Sequence, residues 1–255
     1  MITLENVCAG YEGKTIVRNA NVTFEPGNIT VLIGPNGCGK STLLKSIVRI
    51  NPHTSGSIQI GNTPVEKLST SKLAQNVAYL AQNKKAPDIT VMKMVLHGRF
   101  AYLNYPRKYR AEDFEIAKKA LKWAGMEEKS DEIVSKLSGG MQQKVYIAMA
   151  LAQDADTILM DEPTTYLDIV HQLRLMEMAK ALAQKGKAVV MVLHDLTQAL
   201  EIADKVVVLK AGEIIAQGSP DEVYECGSLE KAFGIKIEKI KTEKGAYIWH
   251  YSRSL

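Results

Sequence analysis

The stretch Gly34-Pro35-Asn36-Gly37-Cys38-Gly39-Lys40-Ser41-Thr42 decides how the rest of the chain is read. It matches G-x-x-x-x-G-K-[ST], and the segments on its two sides have different periodicities. Before it, Ile29, Val31, Leu32 and Ile33 make a continuous apolar run, the pattern of a strand buried on both faces. After it, Leu43, Leu44, Ile47 and Val48 recur at helical spacing over 42–50. Strand, glycine loop and helix together form a phosphate cradle, in which backbone N–H groups and the positive helix end face the anion. There Lys40 reaches the β- and γ-phosphates, and the Ser41 hydroxyl ligates Mg2+. The candidate nucleotide contacts are therefore Gly34, Asn36, Gly37, Cys38, Gly39, Lys40, Ser41 and Thr42, with Cys38 a small filler.

The chain has 255 residues, 46% hydrophobic and 24% charged, enough for a sizeable core of ordinary globular composition. No apolar run approaches the ~20 residues of a membrane helix, and the start Met1-Ile2-Thr3-Leu4-Glu5-Asn6 lacks a basic and apolar leader. A soluble, cytoplasmic chain is expected. Cys8, Cys38 and Cys226 are odd in number and far apart, which fits neither a disulfide framework nor a zinc site. The net charge of +4 would permit a nucleic-acid or anionic-surface partner, but it is spread without a basic block and decides nothing; no nucleic-acid partner is expected on the reading reached below.

Alternating apolar residues over 1–24 predict antiparallel strands beside the nucleotide core, with a turn at 25–28. Tyr11 stands among them, where a ring can either pack or stack on a base. Turn formers fill 51–56, then come a strand at 57–60, a helix over 65–74 and a strand over 77–82. Gln82 ends that strand, just before the polar run 83–87. Its amide either caps the strand or ligates a metal or water. From 90 to 153 the pattern is helical, with helices over 91–99, 111–124 and 139–153. The second carries Phe114, Ala117, Leu121 and Ala124 along one face. The aromatic and basic stretch 99–110 either suits nucleic acid or, the favoured reading, is a surface loop with snorkelling side chains. Strands at 157–160, 188–193 and 205–209, separated by helices over 169–185 and 196–203, mean βαβ units and a parallel sheet. Short helices near Asp221 and Ser228 and a hairpin over 235–251 close the chain.

Ile158-Leu159-Met160-Asp161-Glu162-Pro163 is a buried strand ending in two carboxylates, at the edge where α/β sheets hold ligands. The pair divides into two roles: Asp161 holds Mg2+ through water, and Glu162 orients or deprotonates the attacking water. His194 ends a parallel strand of the same kind and is either structural or aimed at the same crevice. In Leu137-Ser138-Gly139-Gly140-Met141-Gln142, Ser138 reads as an N-cap and the glycine pair leaves amides and helix dipole bare, a second anion site.

Residues 34–42, Gln82, 137–142, Asp161, Glu162, Asp168 and His194, in this order, resemble the ATPase subunit of an ATP-binding-cassette transporter. The resemblance covers nearly the whole chain. It implies a P-loop NTPase (RecA-like) α/β fold with an N-terminal antiparallel β subdomain and a helical insertion. The expected parts are a nucleotide core over 1–86 and 154–218, a helical signature segment over 87–153 and a C-terminal extension over 219–255. It also implies ATP and Mg2+ as cofactors, the metal on Ser41, Gln82 and Asp161. Tyr11 then stacks on adenine, while Glu162, His194, Gln82 and Asp168 serve catalysis. Ser138, Gly139 and Gly140 clasp the γ-phosphate of ATP held by a second copy. Met141 departs from the family, which usually has glutamine there. The run 161–172, with 147–153, is similar to importers of iron chelates such as siderophores, haem and cobalamin. Membrane-spanning permease subunits, an indirectly linked extracytoplasmic binding protein and a place at the cytoplasmic face of the membrane are then implied. The alternative is a cassette ATPase not tied to transport, acting on nucleic acid or cofactor assembly.

Overall fold

The computed structural model describes residues 1–82, 86–241 and 247–253. Residues 83–85 of the expected polar run 83–87 and the turn of the terminal hairpin lie outside the described residues. The chain divides into two compact units, one of Met1–Val65 with Ala179–Leu255 and one of Glu66–Met178.

The first unit opens with strands β1 (Ile2–Tyr11), β2 (Lys14–Phe24) and β3 (Ile29–Ile33), helix α1 (Lys40–Ile47), and strands β4 (His53–Ile60) and β5 (Thr63–Pro64). β1, β2, β4 and β5 form an antiparallel sheet in the order β2-β1-β4-β5. Its inward set on β1 switches from Ile2 and Leu4 to Val7 and Ala9 because a bulge at Asn6, φ 50°, slips the register by one. Opposite this bulge lies Gly56, φ 85°, where a Cβ would stand 2.4 Å from the Asn6 carbonyl oxygen. The turn expected over 51–56 is thus strand from His53 onward, since the bulge and the glycine let this polar stretch pair with β1.

The second unit follows with α2 (Thr70–Asn76), β6 (Val77–Leu80), α3 (Val91–Leu96), α4 (Ala111–Trp123), α5 (Gly139–Ala152) and β7 (Thr157–Asp161). β6 and β7 pair in parallel, from Val77 opposite Thr157 to Leu80 opposite Met160. Helix α6 (Ile169–Gln184) returns the chain to the first unit, which continues with β8 (Ala188–Val192), α7 (Leu196–Ile202), β9 (Lys205–Lys210) and β10 (Glu213–Gly218). Here β3 lies between β8 and β9, parallel to both, and β10 runs antiparallel to β9. Every residue of β3 and β8 is buried, as the continuous apolar runs require. The unit ends in α8 (Pro220–Glu225), α9 (Ser228–Phe233) and the antiparallel pair β11 (Ile235–Lys241) and β12 (Tyr247–Arg253). Trp249 packs edge-on against Tyr224 at 5.1 Å, and Lys239 meets Asp221 at 2.5 Å, which fixes the hairpin on α8. Among the described residues no helix is long and apolar enough to cross a membrane.

The helical segment departs from expectation where polar groups are buried. The helix over 65–74 is a 3-10 turn, Val65–Lys67, followed by α2, whose N-cap Ser69 accepts from the Lys72 amide. α3 stops at Leu96 and passes into a 3-10 turn, His97–Tyr102. On α4 the buried face is Asp113, Ala117, Ala120 and Leu121, while Phe114 is 39% exposed. Asp113 takes the inward place because Arg99 is there to meet it. Arg99 is not a snorkelling surface residue: its Nε donates to Asp113 Oδ1 at 3.0 Å and its Nη1 to the Ala152 carbonyl at 3.1 Å. The guanidinium also stacks 3.9 Å from the Tyr102 ring centre.

Burial raises the Asp113 carboxyl, but the Arg110 amide and the Arg99 charge outweigh it and hold it below the ordinary carboxylate value. The pair therefore stabilises the segment above that value and loses its effect as pH falls through the depressed one. Arg99→Ala leaves the carboxylate uncompensated and is expected to cost about 3–5 kcal/mol. Urea unfolding measures this; a midpoint equal to the parent's would show that the pair carries no such weight.

Candidate nucleotide site

The glycine loop is shaped by what surrounds it within the first unit. At Gly34, φ 151°, a Cβ would stand 2.1 Å from the Leu209 carbonyl oxygen, so β9 excludes any side chain. The Gly212 amide donates to the Cys38 carbonyl at 3.1 Å and pins the far side. Gly39 is the N-cap of α1 in the left-handed region and brings no capping side chain, so the first-turn amides and the positive helix end face the loop. Lys40, 5% exposed, folds its Nζ back to donate to the carbonyls of Gly34 at 2.7 Å and Pro35 at 3.1 Å, with Cys38 Sγ at 3.8 Å. Lys40, Ser41 and Thr42 form the first turn of α1, two residues earlier than the spacing predicts. Thr42 is buried, and its Oγ1 donates to the Tyr11 hydroxyl at 3.4 Å. That bond sets the 41% exposed Tyr11 ring, at the end of β1, beside the loop. Asn36 and Gly37 lie on the loop between these fixed points. His194 is exposed, two residues beyond β8, just before the α7 cap Asp195.

The second unit gathers the carboxylates. Asp161 is the last residue of β7 and 1% exposed; its Oδ2 accepts from the Tyr79 hydroxyl on β6 at 3.1 Å. Glu162 follows in the left-handed region, φ 52°, a conformation a non-glycine residue holds only where its surroundings enforce it. Its Oε2 accepts from Gln82 Nε2 at 2.5 Å. Gln82 thus stands two residues past β6, with its amide turned to the carboxylate. Gln143 Nε2 donates to the Pro163 carbonyl at 2.9 Å, tying α5 to the segment after Glu162.

Ser138 caps α5, its Oγ accepting from the Met141 amide at 3.4 Å, and Gly139 and Gly140 open the helix. A Cβ on Gly140 would stand 2.9 Å from the Tyr166 carbonyl oxygen, so the second glycine is also required by the loop beside it. Met141 is half-buried and packs on the cluster of Val91, Leu121 and Val145, so its side chain serves the helical core. Asp168 precedes α6 and accepts on Oδ1 from the His171 amide at 2.9 Å, with His171 Nδ1 at 2.6 Å from the same oxygen. The His171 amide, then its ring, hold the Asp168 carboxyl below the ordinary carboxylate value.

Sequence reasoning missed Tyr79, Arg99 with Asp113, and any role for His171. Only the i, i+3 spacing of Asp168 and His171 across a helix start was a usable signal. Tyr79 and Arg99 depend on strands and helices far apart in the chain.

Residues 17–165 match the ABC transporter family. The chain is 39% identical over 239 residues to the iron(3+)-hydroxamate import ATP-binding protein FhuC of Bacillus subtilis, covering 93% of this chain and 89% of that one. It is 38% identical over 234 residues to the ferric enterobactin transport ATP-binding protein FepC of Escherichia coli, covering 91% and 86%. The dimeric structure of MJ0796, a bacterial ABC transporter cassette, superposes with a TM-score of 0.77 at 29% identity, over 86% of this chain and 99% of that one. The chain therefore belongs to the ABC transporter family, as an ATP-binding ATPase component. Its fold is the P-loop α/β fold with an antiparallel β subdomain that the resemblance implies.

Proposed function

We propose that the chain is the nucleotide-binding subunit of an importer of iron chelates, which hydrolyses ATP between two copies of itself to drive membrane-spanning permease subunits. An extracytoplasmic binding protein delivers the chelate, and the subunit works at the cytoplasmic face of the membrane. The observation that carries the coupling in this reading is the Gln82–Glu162 hydrogen bond. It joins the residue at the entrance to the helical segment to the carboxylate best placed to activate water, so a push on that segment reaches the chemistry through one contact. Likeness over about nine tenths of this chain to an iron(3+)-hydroxamate import and a ferric enterobactin transport ATP-binding protein favours this over a cassette ATPase not tied to transport.

In this reading the amides of 34–42 and the Lys40 ammonium bind the phosphates, and Tyr11 stacks on adenine. Glu162 takes the proton of the attacking water, and His194 meets the γ-phosphate. Ser41, Gln82 and Asp161 are the residues we assign to Mg2+, and their hard oxygen donors suit it. Bound there, Mg2+ would supply positive charge against the phosphates. Ser138, Gly139 and Gly140, with Asp168, face ATP held by the second copy. Tyr166, beside Gly139 and Gly140, and Ile169, Val170 and Leu173 on α6 are 52–73% exposed and supply apolar surface for such a contact. Core 1–86 with 154–218, helical docking segment 87–153 and extension 219–255 are the working parts we assign.

Proteoliposomes holding the chain, its permease and its binding protein test the cargo. Uptake of an iron(III)-hydroxamate chelate is expected only with Mg2+ and ATP inside the compartment that contains this subunit. ATP hydrolysis without uptake of hydroxamate, catecholate, haem or cobalamin overturns the chelate assignment.

A further inference from the structure

We propose that His171 is a positioning residue for Asp168, holding its carboxylate in one orientation for the reaction between two copies; this rests on the reading of Asp168 above. The Asp168 side chain is 65% exposed, and the loop before it carries left-handed residues at Glu162 and Tyr166. A carboxylate on such a loop turns between rotamers unless something holds it. Two donors from one residue do so here. The His171 amide lies 2.9 Å and its ring Nδ1 2.6 Å from the same Asp168 Oδ1. The amide bond is the ordinary helix cap and recurs with any residue at this position. The ring bond is specific to the side chain, and with the cap it fixes where Oδ2 points.

What holds the ring in turn is packing in the second unit. The His171 side chain is 27% exposed and lines a small cavity with Ile147, Leu167, Lys144 and Arg174. Lys144 belongs to α5, the helix that Ser138 caps, and Arg174 lies one turn further along α6. Burial pushes the Lys144 ammonium down, and the Asp168 charge opposes that. Lys144 in turn helps to keep Asp168 ionised. Lys144 and Arg174 line the cavity with the ring, and Asp168 is bonded to it, so these are charged groups that surround the imidazole.

The test compares kcat and KM for ATP hydrolysis in the full chain, with thermal melts, for His171→Ala, His171→Asn, Asp168→Ala and the double variant. His171→Ala is expected to lower kcat about tenfold, the scale of one hydrogen bond to a charged group, with KM changed by less than about twofold. His171→Asn, whose amide nitrogen reaches a carboxylate at the same cap, is expected to regain most of that loss. The double variant should be no slower than Asp168→Ala, because the two side chains act as one unit. Should melting show His171→Ala unfolded, His171→Phe replaces it, filling the cavity without a nitrogen. A parent-like kcat for the alanine or phenylalanine variant, or asparagine as slow as alanine, overturns the proposal while an impaired Asp168→Ala leaves the underlying reading standing. A parent-like Asp168→Ala overturns both.

Discussion

Glu162→Gln is expected to lower ATP hydrolysis by roughly 10²–10⁴, the range of a positioned acid or base, while ATP binding persists. The substitution keeps the shape of the side chain and an oxygen that accepts from Gln82 Nε2, so the contact seen at 2.5 Å can remain. What it removes is the negative charge and the capacity to take a proton. Asp161 keeps its bond from Tyr79, so the strand end is undisturbed. Lys40, Ser41 and the loop amides are likewise untouched. Unhydrolysed ATP is then expected to hold two chains together, since Ser138 to Gly140 of one copy would clasp the γ-phosphate held by the other. A phosphate-release assay, beside size-exclusion chromatography with Mg2+ and ATP, reads both halves. Hydrolysis at the parent rate would remove Glu162 from the chemistry, whereas a slow variant that stays monomeric would keep the base and undo the two-copy arrangement.

Lys40→Ala is expected to abolish ATP binding. The ammonium is the cation of a loop otherwise built of neutral amides, and the charge-assisted bonds it offers are the strong ones. It is also drawn into the loop, donating to Gly34 and Pro35 carbonyls, so its removal loosens the cradle as well as discharging it. Binding to the folded state alone raises stability by about 2.7 kcal/mol at a ligand concentration a hundredfold above Kd. The parent chain should show such a rise on melting with ATP, and Lys40→Ala should show none at the same concentration. Undiminished binding by titration would sink the phosphate role of the loop.

Local chemistry decided much of this protein before any folding was considered. The G-x-x-x-x-G-K-[ST] loop needs only glycines, a lysine and flanking elements of the right period, and all lie within some twenty consecutive residues of the sequence. The Ser138 cap and the run ending at Asp161 are local in the same sense, and both occur where the residues place them. Tertiary structure decided what depends on two distant segments meeting. Gly56 becomes strand because Asn6 bulges opposite it, and no feature of 51–56 announces that partner. Asp113 turns inward on α4 because Arg99, fourteen positions earlier, is buried with it; periodicity had assigned the inward place to Phe114. Tyr79 reaches Asp161 across paired strands eighty-two positions apart, and Gln82 reaches Glu162 across eighty. A short motif carries its own geometry in bond lengths and φ preferences, whereas a hydrogen bond between remote side chains exists only once folding has brought them together; burial of Asp161 then shields its bond from Tyr79, while the Gln82–Glu162 bond stays exposed.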